Sequence, residues 1–128
     1  VAPALEIVDS RIADWRITLA DTIADNASSG AVVLGGWVPI AEAPRLPDTT
    51  ATLTVNDSTV DSGEGAAVMG DPAAAVAWLA NALAAYDIAI DAGQIVMSGS
   101  YTTAAFVVGG DRASAHLSGL GTVTVAFE

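Results

Sequence analysis

The clearest pattern in the chain is Thr50-Ala51-Thr52-Leu53-Thr54-Val55, in which apolar and hydroxyl side chains alternate. A period of two puts Ala51, Leu53 and Val55 on one face and predicts a half-buried strand over 51–55. Asn56-Asp57 supplies a turn, and a return strand around 58–61 completes a hairpin before the polar, glycine-rich Asp61-Ser62-Gly63-Glu64-Gly65 loop. Earlier, residues 4–9 read as a strand entering an Asp9-Ser10-Arg11 turn, and 31–36 as a second strand stopped by Gly35-Gly36. Between them Leu19, Ile23 and Ala24 fall at helical spacing. Thr18 stands as N-cap and Asp21 in the first turn, so a short helix is predicted over 19–25. The prolines between Trp37 and Pro47 predict a loop.

The best-marked element is a helix over 72–86. Asp71 can cap it, Pro72 suits its first turn, and Val76, Leu79, Ala80 and Leu83 form one apolar stripe. Beyond the Asp91-Ala92-Gly93 turn, Gln94-Ile95-Val96-Met97-Ser98 predicts a buried strand, and two more strands follow at 112–117 and 122–127. The expectation is a β-rich α+β domain with two helices. Strands 51–55, 94–98, 112–117 and 122–127 would lie in one curved, mixed sheet system, with the long helix burying its stripe against it.

Length and charge narrow the functional classes. A chain of 128 residues with 52% apolar residues can form one core but not two. Its formal charge of -11, against only Arg11, Arg16, Arg45 and Arg112, would repel nucleic acid and anionic lipid, so neither partner is expected. No run reaches the ~18 apolar residues of a membrane span. The absence of cysteine removes disulfide scaffolds and thiol chemistry, and makes the reducing cytoplasm the expected home. The chain opens at Val1 and enters a strand almost at once, which predicts the latter part of something longer.

One residue resists that plain picture. Glu6 lies in the middle of Leu5-Glu6-Ile7-Val8, a segment of strand formers. An unpaired carboxylate buried in a sheet costs several kcal/mol, so Glu6 must be exposed, paired (Arg11 is near in sequence) or bound to a metal. His116, the single histidine, falls in an alternating strand and reads as a surface residue. Trp15, Trp37 and Trp78 read as core or interface anchors.

The segments PALEIVDSRIADW, DTIADNASSG, VVLGG, GEGAAVMGDPAAAVAWLANALAAYDI, AGQIVMSGS and GDRASAHLSGLGTVTVAF occur in this order across nearly the whole chain. The ordered set resembles the C-terminal half of the 2-hydroxypenta-2,4-dienoate hydratases, within the fumarylacetoacetase superfamily. That resemblance implies a rolled, mixed β-sheet around a divalent metal, Mg2+ or Mn2+, with residues 1–128 as the C-terminal part of the catalytic domain. It implies that Glu6 is the third carboxylate ligand and that the other two come from an upstream Glu-x-Glu pair, which is absent here. It places Asp25, Asn26 and Ser28 in the catalytic pocket, and Gly99 and Ser100 against the substrate's carboxylate end. Gly70-Asp71-Pro72 departs from the Gly-His-Pro or Gly-Asn-Pro common in the family, which Asp71 as a helix cap accounts for.

The reaction so implied is hydration of a 2-hydroxy-2,4-dienoate to a 4-hydroxy-2-oxo acid in aromatic-compound catabolism. The metal would chelate the carboxylate and 2-oxo oxygens of the substrate. The resemblance further implies a homo-oligomer, in complex with an aldolase or decarboxylase of the same pathway. Two alternatives stay open: a 4-oxalocrotonate decarboxylase of the same family, and a non-catalytic partner or degenerate domain that kept the fold.

Overall fold

The computed structural model describes residues 1–128. Strands β1 (Ala4–Val8) and β2 (Ser29–Leu34) form an antiparallel ribbon. Strands β3 (Thr50–Val55), β4 (Ser58–Glu64), β5 (Arg112–Leu117) and β6 (Gly121–Ala126) form a second antiparallel sheet in the order β4-β3-β5-β6. Helix α1 (Leu19–Ala24) lies between β1 and β2, and helix α2 (Pro72–Ala84) follows β4. The α+β class with two helices is as expected. All pairing within the chain is antiparallel and divided between two sheets, so no parallel pair makes either sheet mixed.

The four-stranded sheet has one dry and one wet face, as the alternation requires. Leu53 stands opposite Ala115, and Ala115 opposite Val123. These three buried side chains form the core, with Leu5 of β1 and Val33 of β2 packed on them from the ribbon. On the outer face Thr52, His116 and Thr122 align across three strands, as do Thr54, Ser114 and Thr124. Hydroxyls bond there between Ser114 and Thr124 (2.8 Å), and His116 Nδ1 meets Thr122 Oγ1 at 3.0 Å. His116 is exposed on that face, as its strand position predicted.

Local chemistry sets the element ends. The β3–β4 turn places Asn56 and Asp57 at φ 49° and 64°, the left-handed pair that a two-residue hairpin turn requires. Thr18 and Asp21 make a reciprocal capping box on α1. The Asp71 carboxylate accepts from Ala73 N at 2.8 Å and caps α2, with Pro72 in its first turn. At 13 residues α2 is about 20 Å long. An apolar run extends back to Gly65, but the chain turns at Met69 and Gly70, both at positive φ, before Asp71. No helix here approaches the ~30 Å needed to cross a bilayer.

Three expectations are corrected. First, β4 runs to Glu64 instead of ending near 61, because Gly63 lets another segment lie against the strand. A Cβ on Gly63 would overlap the carbonyl oxygen of Tyr101. Secondly, residues 94–98 form no strand, because none of the backbone N–H groups from Ile95 to Tyr101 finds an acceptor in the chain. Thirdly, Val76, Leu79 and Leu83 are only half-buried, and Pro72 is the one fully buried residue of α2. Trp78 on the same helix is 60% exposed, and Leu19 and Ile23 of α1 face solvent. The three tryptophans are therefore not core residues of this chain.

The close approach at Gly63 gives a direct test. Gly63→Ala should lower stability by about 1–3 kcal/mol, because backbone must move to admit the methyl group. Gly36→Ala, with nothing within 4 Å of the added carbon, should change it by less than about 1 kcal/mol. Urea unfolding of both variants measures the difference.

Candidate active site

Glu6 projects from β1 opposite Val32, between the half-buried Leu5 and Ile7. It is exposed and forms neither a hydrogen bond nor an ion pair. Pairing with Arg11 is therefore excluded, since Arg11 is engaged elsewhere. Glu6 borders a concavity of about 1270 Å³ enclosed by β1, the inner face of the four-stranded sheet, the start of α2 and residues 94–107.

Gly99 and Ser100 border the same concavity. Gly99 sits at φ 121°, and a Cβ there would lie 3.0 Å from Val68 Cγ1. Conformation and space both demand glycine at that point. The Ser100 hydroxyl donates to Thr102 O at 2.7 Å and accepts from Thr102 N at 3.3 Å, which closes a tight local turn. Tyr101 is then fixed from two sides. Its carbonyl lies over Gly63, and its hydroxyl meets Thr49 Oγ1 at 3.1 Å. Thr49, only 1% exposed, already donates to Leu46 O at 2.6 Å, so the Tyr101 hydroxyl is the donor of this pair. Beyond it, Asp61 accepts from both Thr103 N and Thr103 Oγ1 at 2.7 Å.

Asp25, Asn26 and Ser28 do not border the concavity. Asp25 is buried, and it is the hub of the turn joining β1 to β2. Its carboxylate accepts from Arg11 Nε at 2.5 Å, Arg11 N at 3.2 Å, Ser28 Oγ at 3.0 Å and Ser10 Oγ at 3.3 Å. The Arg11 guanidinium also donates to the Asp25 and Ser29 carbonyls. Around this hub Asn26, Ala27 and Ser28 take left-handed φ values of 52°, 56° and 55°. Such a run of non-glycine residues persists only where surroundings over-determine it. Burial pushes the Asp25 carboxyl up, but the hydrogen bonds from Arg11 and Ser28, with the guanidinium charge, outweigh it and hold the group below its ordinary value.

The donor set bears on a metal. Glu6 offers one hard oxygen ligand of the kind a divalent cation takes. No three carboxylate or imidazole side chains of this chain converge. The residues present fit one position of a magnesium or calcium site, and do not compose the whole of one.

Sequence reasoning missed the Arg11–Asp25 pair and the Thr49–Tyr101 pair. Arg11 lies closer in sequence to Glu6, and only the fold shows which carboxylate it meets. The single glycine of β4, Gly63, is the signal that could have found Tyr101, since glycine inside a strand often marks close backbone approach.

The Asp25 hub has a pH signature. A carboxyl held below its unfolded value, ~3.9, contributes stability that is complete above that pH. The contribution is lost as pH falls through the folded-state value. Asp25→Asn should lower the urea midpoint at neutral pH and flatten the acid limb of the stability profile relative to the parent. Urea titrations from neutral pH into the acid range check both.

The chain matches the Fumarylacetoacetate (FAA) hydrolase C-terminal family over residues 1–128. It is 43% identical over 127 residues to a 2-hydroxyhexa-2,4-dienoate hydratase of Comamonas testosteroni, covering 99% of this chain and 48% of that protein. A 2-keto-4-pentenoate hydratase of Paraburkholderia xenovorans is 44% identical over 131 residues, with 100% and 48% covered. Among solved structures, 4-oxalocrotonate decarboxylase from Pseudomonas putida G7, complexed with magnesium and adipate, superposes with a TM-score of 0.92 at 36% identity. That superposition covers 99% of this chain and 48% of the decarboxylase. The chain thus spans about half the length of the relatives it matches. With the whole of its length matched, two helices beside antiparallel sheets and a fold shared with the decarboxylase, the chain belongs to the fumarylacetoacetate hydrolase C-terminal family.

Proposed function

We propose that this chain forms the C-terminal part of a hydratase that adds water to a 2-hydroxy-2,4-dienoate, giving a 4-hydroxy-2-oxo acid in aromatic-compound catabolism. The observation that carries this reading is likeness at 43–44% identity, along the whole chain, to a 2-hydroxyhexa-2,4-dienoate hydratase and a 2-keto-4-pentenoate hydratase. A decarboxylase shares the fold, at 36% identity. That favours 4-oxalocrotonate decarboxylation as the second reading, and the higher identity ranks the hydratase first.

In this reading Glu6 gives one carboxylate to a divalent cation, Mg2+ or Mn2+, and the remaining protein ligands come from outside these residues. Once bound, such an ion supplies Lewis-acid polarisation of a 2-oxo acid. The magnesium-bound decarboxylase neighbour supports a divalent cation. The Gly99–Ser100 turn would receive the carboxylate end of the substrate, with Tyr101 and Thr49 holding the turn in place. Asp25 and Ser28 would act on the site by fixing the β1–β2 connection, and so the position of Glu6, while Asn26 lies in that connection away from the concavity. We place the enzyme in the cytoplasm as a homo-oligomer, possessing a partner aldolase or decarboxylase of the same pathway. The exposed Trp78 face of α2 supports the oligomer.

Glu6→Gln in the complete enzyme tests the ligand role. The variant keeps shape and removes one negative ligand. Metal-dependent hydration should fall by more than the roughly 10–100-fold that loss of an outer partner costs. Circular dichroism and urea midpoint should stay at parental values, because Glu6 bonds to nothing in the fold. Turnover within a few-fold of the parent would remove Glu6 from the metal site. Release of carbon dioxide in place of hydration would select the decarboxylase.

A further inference from the structure

The charges of this chain are nearly all of one sign, and they are rarely paired. It has 15 acidic residues against four arginines, with no lysine, for a formal charge of -11. Only Arg11 with Asp25 and Arg45 with Asp48 form ion pairs. Arg16 and Arg112 are exposed and bridge to nothing, so 13 of the 15 carboxylates have no arginine beside them. The core that must hold such a surface together is small, with 13 of the 128 residues buried.

The unpaired carboxylates fall into two groups. Asp21, Asp61, Asp71 and Asp111 are bonded, but to neutral donors. Asp21 accepts from Thr18 N at 2.9 Å and Asp71 from Ala73 N at 2.8 Å, at the two helix starts. Asp61 accepts from Thr103 N at 2.7 Å. Asp111 accepts from Val108 N at 2.8 Å and Asn56 Nδ2 at 2.7 Å. In the second group, Glu42, Asp57, Glu64, Asp87 and Asp91 are exposed, and their carboxylates have neither an ion pair nor a hydrogen bond.

Salt acts on these groups differently. The bonded aspartates touch their donors, at distances where screening has little effect. The free carboxylates repel one another through solvent over the whole molecule. The screening length is ~30 Å at 0.01 M salt and ~8 Å at 0.15 M. A folded chain of this length has a radius of gyration of about 14 Å, and the unfolded chain about 37 Å. In dilute buffer each carboxylate of the folded molecule therefore acts on every other, and unfolding relieves the repulsion by spreading the charges. At physiological salt only near neighbours interact. We infer that ionic strength is a conformational control of this fold: unpaired surface charge opposes folding in dilute buffer, and screening by salt restores stability while the bonded aspartates hold their turns throughout. This stands on charge and bonding, and holds whichever reaction the enzyme performs.

The test is urea unfolding of the 128-residue chain at neutral pH, in sodium chloride and in potassium chloride. Between about 0.01 and 0.5 M salt the midpoint should rise by roughly 0.5 M urea or more, with most of the rise below about 0.2 M salt. The two salts should give the same curve. A chain unfolded at the lowest salt and folded at the highest is the same result. Glu42→Gln, Glu64→Gln and Asp91→Asn combined remove three free carboxylates, and should raise the midpoint in dilute buffer and flatten the salt dependence. Arg112→Gln removes an unpaired cation and should do the opposite. A midpoint that is flat or falls with salt, or a salt dependence that neither variant changes, would overturn the inference. So would a chain unfolded at every salt concentration. A rise confined to salt above about 0.5 M would overturn it by assigning the effect to strengthened apolar burial. A rise that depends on protein concentration would do so by assigning it to self-association, and a rise in one salt only by assigning it to a specific cation site.

Discussion

The fold depends on the pairing of β3 with β5, whose residues Thr54 and Ser114 lie 60 positions apart. That ladder brings Leu53 against Ala115 and Val123, the only cluster of fully buried apolar side chains. The cost of closing so long a loop rises only slowly with its length, but it falls before the non-local contacts are made. The ribbon β1–β2 packs Leu5 and Val33 onto that sheet. Glu6 sits one residue along from Leu5, so the period of two turns its carboxylate away from that contact and leaves it exposed at the border of the concavity.

Two acidic residues in the connected β1–β2 region have opposite environments. Asp25 is buried and fully bonded, whereas Glu6 is exposed and bonded to nothing. Arg11 distinguishes them. By saturating Asp25 it holds the loop and leaves no cation to neutralise Glu6. A free carboxylate on the rim of an apolar cavity has the chemistry of an incomplete hard-cation site. The two acids thus differ in environment, one bonded into the loop and one free beside the concavity, which their spacing in sequence does not reveal.

Much of the fold was legible because local and tertiary preferences agree. Thr18 with Asp21, and Asp71 with Pro72, marked both helix starts through cap chemistry that needs no distant partner. Alternation marked β3, β5 and β6, whose partners all lie within the chain. The failures fall where the outcome depends on something non-local. Gln94–Ser98 has strand propensity, but a strand is defined by bonds to a neighbour, and none is present. The stripe of α2 has the right period, but periodicity gives the face and not what covers it. At Gly63 the absence of a side chain read as a loop, although it was the condition for Tyr101 to lie across a continuing strand. Of the site, Glu6 stood out because a charge among strand formers needs a reason. The Asp25 hub did not, since its four donors come from Ser10, Arg11 and Ser28 and meet only after folding.

The hydroxyl and imidazole rows on the outer face of the four-stranded sheet limit how the molecule can grow. Thr52, His116 and Thr122, with Thr54, Ser114 and Thr124, keep that face hydrated across its central strands. Sheets stack into fibrils when both faces can be made dry, each new layer presenting a fresh surface to the next. Here one side is apolar and the other carries polar groups bonded to one another, so addition on the apolar side ends with the first layer. A chain with so much apolar surface is thereby steered toward closed assembly instead of propagating aggregation, by five hydroxyls and one imidazole on the face opposite its core.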